Sequence, residues 1–119
     1  MKESLLYKKS LAFGVRCVKF YKYLKEKDVY VLSKQLLRSG TSIGANVRES
    51  RFAQSPADFV SKLSIALKEA EETQYWLELM NQSGIIDEKE FTSMNNDVDE
   101  LIALFTASLK TYKTNKKNI

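Results

Sequence analysis

An all-α fold, an up-down-up-down antiparallel four-helix bundle, is the architecture this 119-residue chain predicts. Three observations carry that expectation. One proline and four glycines in the whole chain leave few turns and long elements. Apolar residues recur at spacings of three and four, the period of a helix face. Two helix-start signatures, Ser55-Pro56-Ala57-Asp58 and Asp87-Glu88-Lys89-Glu90, punctuate the second half of the chain. One domain spanning residues 1–119 is expected, with helices at about 3–25, 29–53, 56–82 and 88–112 and a frayed tail at 113–119. A chain of this length buries roughly two thirds of its unfolded surface, enough for a real core without a disulfide.

In the first segment Leu6, Phe13, Cys17, Phe20, Tyr21 and Leu24 fall within an arc of about 100° on a helix. Lys8, Lys9, Arg16, Lys19 and Lys22 lie on another side, which makes the wet face basic.

The second segment contains LLRSGTSIGANVRESR, where Ser39, Gly40, Thr41, Ser42, Gly44 and Ala45 are small and nearly consecutive. Two readings compete. Gly40 could end one helix and Thr41 or Ser42 cap another. Alternatively one helix runs through, because Leu32, Leu36, Ile43 and Val47 hold a single face across the supposed break. Continuity is the favoured reading. It costs about 2 kcal/mol of helix propensity for Gly40 and Gly44, which close approach of a neighbouring helix would offset. Beside this seam runs an uncharged polar row, Gln35, Ser39, Ser42 and Asn46. It is either a solvated face or a half-buried row bonded to another helix. The third segment offers a row at the same spacing, Ile65, Glu69, Glu72 and Trp76; the two could meet within one chain or between subunits.

Pro56 suits a first helical turn, where its missing N–H costs nothing, Ser55 caps, and Asp58 completes a capping box. Phe59, Leu63, Ala66, Ala70, Thr73, Leu77 and Met80 then form a regular seam that stops near Ser83-Gly84, with glycine in the left-handed cap position. Asp87 to Glu90 repeats the capping logic, and Phe91, Met94, Val98, Leu101, Phe105 and Tyr112 make the fourth stripe.

Charge is polarised along the chain. Residues 1–28 carry eight Lys/Arg against three Asp/Glu, 29–54 four against one, 55–83 two against five, 84–109 one against six, and 110–119 four against none. Three uses are compatible with this. Basic helices can pair with acidic ones inside the bundle, each pair adding under about 1 kcal/mol. A head-to-tail oligomer can lay the basic face of one copy on the acidic face of the next. Nucleic acid is the third, with Lys8, Lys9, Arg16, Lys19, Arg38, Arg48, Arg51 and the tail lysines as phosphate contacts. Arg38, Arg48 and Arg51 flank the small-residue stretch, where guanidinium forks suit phosphate or carboxylate; pairing with Glu49 or the acidic third helix is the structural alternative.

The chain has no histidine. That removes Ser-His and Cys-His pairs, the usual zinc sites and the default general base, so neither catalysis nor a metal or other cofactor is expected. A phosphate loop at Gly40-Thr41-Ser42 fails, because no second glycine followed by Lys-Ser/Thr stands there. The lone Cys17 suits a reducing compartment, and neither a leader-like apolar run at MKESLLYKK nor a membrane-length one elsewhere is present; a cytoplasmic protein away from membranes is expected.

LYKKSLAFGVRCVKFYKYL, QLLRSGTSIGANVRES and DFVSKLSIALKEAEETQYWLELM resemble, in order and spacing, the proteins encoded by intervening sequences in bacterial 23S ribosomal RNA genes. The accessory variability protein of diversity-generating retroelements is similar to that family. The most specific part is Gln35, Leu36, Arg38, Ser39, Ser42, Ile43 and Asn46. The resemblance implies an up-down four-helix bundle, a homopentamer and no catalytic activity. For the retroelement branch it implies binding of RNA or DNA and of a reverse transcriptase through basic surface. Apart from the resemblance, the small residues and the two matching rows make Gln35, Ser39, Gly40, Ser42, Gly44, Asn46, Glu69, Glu72 and Trp76 the candidate helix-packing or oligomer contacts. One departure stands out: where the family often has Ala-Glu-Gly, this chain has Arg48-Glu49-Ser50.

Overall fold

The structure, a computed structural model, describes residues 4–27 and 29–117. It contains four helices, α1 (Leu5–Glu26), α2 (Val31–Ser50), α3 (Pro56–Gln82) and α4 (Glu88–Lys117). Each packs on its neighbour in sequence, and α4 closes against α1, so the chain forms an antiparallel bundle of 53 × 22 × 22 Å. Among the described residues all regular structure is helical.

The starts and stops have local causes. Ser4 accepts from the Tyr7 N–H at 3.0 Å and caps α1. Ser55 caps α3 by accepting from the Asp58 N–H at 3.0 Å, whereas the Asp58 carboxylate reaches one residue past the cap, to the Gln54 N–H at 3.2 Å. The predicted box at α4 closes fully: the Asp87 N–H donates to Glu90 Oε1 (2.9 Å) and the Glu90 N–H to Asp87 Oδ1 (2.7 Å). Gly84 ends the α3 segment at φ 76°, the left-handed region that favours glycine.

Helix bounds differ from expectation by two residues or more at four ends. α1 begins at Leu5, residue 3 lying outside the described residues, and α2 is shorter at both ends. α4 continues to Lys117 where fraying was expected from 113, because no glycine or proline interrupts the Ser108–Lys117 sequence and a helix can continue there without an apolar stripe. Residues 118–119 lie outside the described residues.

The core follows the predicted stripes. Phe13, Cys17, Leu24, Leu36, Ile43, Val47, Leu63, Ala66, Ala70, Leu77, Met80, Met94, Val98, Leu101 and Phe105 are buried, while Leu6, Phe20, Leu32, Phe59 and Phe91 pack half-buried at its edge. α2 is one unbroken helix through Gly40 and Gly44. Its slim side receives α1: a Cβ on Gly44 would sit 3.4 Å from the Ser10 backbone, and one on Gly40 would meet Cys17.

Candidate nucleic-acid interface

The antiparallel α1–α2 pair brings the start of α1 beside the end of α2, and the two helices share one tyrosine there. Tyr7 is buried, 6% exposed. Its hydroxyl accepts a hydrogen bond from Arg48 Nη1 at 3.2 Å. The Arg51 guanidinium lies 5.1 Å from the centre of the same ring, in cation–π range. Lys8 is the next residue of α1 and is exposed. No carboxylate of the described residues forms a salt bridge with Lys8, Arg48 or Arg51, and Glu49, the acid between the arginines, faces Lys62 at 3.6 Å. Both guanidiniums also sit where the α2 backbone presents its negative end, which favours cations there. The result is a pair of oriented cations whose charge remains available to an outside anion.

The other predicted phosphate contacts are placed differently. Lys19 is exposed, three turns after Lys8 on the same side of α1. Lys9 pairs with Glu100 at 2.7 Å, and Arg16 with Asp97 at 2.6 Å and with Ser93. Arg38 is held by Glu69 at 3.4 Å and by Glu72. So α1 answers α4, α2 answers α3, and part of the charge polarity is spent within the bundle.

The polar row of α2 divides. Ser39 is fully buried and hydrogen-bonded to Thr73 Oγ1 at 2.8 Å, so it belongs to the α2–α3 contact within one chain. Gln35 accepts from Arg38 Nε (3.3 Å), Ser42 donates to the Arg38 carbonyl (2.6 Å) and Asn46 to the Ser42 carbonyl (2.9 Å); all three are half-buried and bonded on their own helix. Across from them the Trp76 indole N–H donates to Glu72 Oε2 at 2.9 Å, fixing the carboxylate that Arg38 engages. At the sequence departure, Arg48 reaches Tyr7 and Ser50 is buried, donating to the Val47 carbonyl at 2.6 Å.

The α1 stripe expected from the sequence leaves out Tyr7 and Ser10, both buried on α1. A signal was present, since positions 7, 10, 13 and 17 continue one face at helical spacing. Cys17 is no reactive centre, because burial pushes its thiol up to about 12. Among the described residues no group of acidic, thiol or imidazole side chains could hold a metal ion, and no helix is long and apolar enough to cross a membrane.

The class of protein that the fold defines is a histidine-free antiparallel four-helix bundle with ion-paired helix seams. Residues 2–107 match the 23S rRNA-intervening sequence protein family, and the chain belongs to it. The chain is also similar to the crystal structure of a protein with unknown function from the S23 ribosomal protein family from Bacteroides thetaiotaomicron. That similarity has 52% identity and a TM-score of 0.87, over 89% of this chain and 99% of that one. No curated protein matches the chain.

Proposed function

We propose that the protein is a non-enzymatic, oligomeric bundle that binds RNA through backbone phosphates. The observation carrying this reading is the pair Arg48 and Arg51 on Tyr7, which the fold orients without a carboxylate partner among the described residues. Guanidiniums held by a buried phenol lose little freedom on meeting a phosphate, and their planar forks match its oxygens. Lys8 and Lys19 extend the cationic side along α1. Contact with the backbone gives affinity without base readout, so binding to structured RNA is expected to be weakly sequence-dependent. The absence of histidine from the chain and the protonated, buried Cys17 favour a binding role over catalysis.

Titration of a fluorescent RNA hairpin at several salt concentrations tests this. Binding weakens linearly on a log–log plot, and Arg48→Gln with Arg51→Gln reduces the slope by about one per arginine, while Lys9→Gln, whose charge is already paired, changes it less. Light scattering on the same samples reports the oligomer. An RNA that stays unbound in low salt, or a slope indifferent to both arginines, overturns the proposal.

A further inference from the structure

On the outer side of the α1–α2 pair lies a shallow apolar groove of about 350 Å³. Its α1 wall is Leu11, Val15 and Val18, which are 52%, 46% and 40% exposed although they follow each other at helical spacing. Thr41 and Ala45 of α2 form the opposite wall. Two details of the floor have no use within the chain. Gly14 faces open space, with nothing within 4 Å of where a Cβ would stand, so its small size serves no intrachain packing. Ser10, fully buried in the lining, has an Oγ with no hydrogen-bond partner. The groove is bordered by cations: Arg48 lines one end, and Lys22 and Lys34, both exposed, continue the two helices past the other.

The chain carries a surface of the opposite character. On the outer face of α3, Tyr75 is 56% exposed and packs edge-on against Trp76, ring centres 5.1 Å apart. Glu71 and Glu78, one turn to either side of Tyr75, are exposed and make no salt bridge with a described residue. An aromatic anchor flanked by acids complements an apolar slot flanked by bases, in charge and in apolar character.

We infer that a second copy of this chain seats the Tyr75 ridge of its α3 in the Leu11–Val15–Val18 groove between α1 and α2. The inference rests on the oligomeric reading above and specifies its two faces. Because groove and ridge are different surfaces, the contact is heterologous: each copy gives a ridge to one neighbour and a groove to the other, so assembly proceeds head to tail.

Two exposed-site variants test the pairing, with circular dichroism and thermal melts checking that each folds. Size is read by light scattering coupled to gel filtration at tens of micromolar. Val15→Glu spoils the groove and leaves the ridge; Tyr75→Lys spoils the ridge and leaves the groove. Each variant alone is expected to run as a monomer, and an equimolar mixture as a one-to-one dimer, since one intact groove then meets one intact ridge. A wild-type oligomer that survives either substitution overturns this pairing and leaves the oligomeric reading standing. Monomeric variants that fail to combine on mixing likewise overturn it. A monomeric wild-type chain overturns the oligomeric reading itself, and this inference with it.

Discussion

Gly40 of α2 lies against Cys17 of α1 so closely that a Cβ added to the glycine would overlap the sulfur outright and stand 3.2 Å from Cys17 Cβ. This contact explains a glycine in mid-helix: the propensity cost of about 1 kcal/mol is offset by letting two helices approach over a buried thiol.

Gly40→Ala is therefore expected to lower stability by about 1–3 kcal/mol despite the better helix former, through overpacking. Gly44→Ala meets the Ser10 backbone at 3.4 Å, an ordinary contact, and is expected to be neutral or to gain up to about 1 kcal/mol. Urea melts of both variants check the contrast. Adding Cys17→Ala to Gly40→Ala should recover part of the loss, because the overlapping atom is gone.

The same burial makes Cys17 a reporter of unfolding. With its thiol at about 12 against an ordinary 9.0, the folded protein is expected to resist thiol reagents that label the urea-unfolded chain at once. The sign with pH follows from proton binding. Between those two values the unfolded chain releases a proton that the folded chain keeps, so this contribution to stability is complete below 9.0 and declines above it by about 1.4 kcal/mol per pH unit. Subtracting the alkaline stability profile of Cys17→Ala from that of the wild type isolates the slope from the lysines and tyrosines that titrate nearby.

Ser39 and Thr73 form a buried hydroxyl pair between α2 and α3. Thr73→Val keeps the volume but strips Ser39 of its cross-helix partner, and a loss of about 1–3 kcal/mol is expected. Converting both, as Ser39→Ala with Thr73→Val, should cost less than the sum of the single changes. A double-mutant cycle in urea that shows strict additivity would refute the coupling.

The α1–α4 seam is predicted to depend only weakly on its ion pairs. Arg16 and Asp97 are 40% and 43% exposed at the side chain, so their coupling in a double-mutant cycle should stay under about 1 kcal/mol and shrink in 1 M salt. Arg16→Ala should also leave RNA affinity nearly intact, in contrast to Arg48→Gln.

Period and caps in the sequence were enough for the number of helices, the α3 and α4 starts, the Gly84 stop and the continuity of α2, because these are set by residues three and four apart or by a single cap. The apolar stripes were legible for the same reason. Buried serines were not. Ser33 and Ser50 satisfy their hydroxyls on carbonyls of their own segment, at Val29, Tyr30 and Val47, and nothing in a serine's spacing separates that state from solvation.

The amino-acid sequence by itself determined four amphipathic rods, a basic first half and an acidic middle, and a family. Which cations are neutralised was decided only when the rods packed. Lys8 and Lys9 are adjacent in sequence, yet about 100° of helical rotation turns Lys9 to Glu100 on α4 and leaves Lys8 in solvent. The union of Arg48 and Arg51 with Tyr7 likewise spans two helices. Such pairings depend on the rotation of each rod against its neighbours, a quantity that no local spacing encodes.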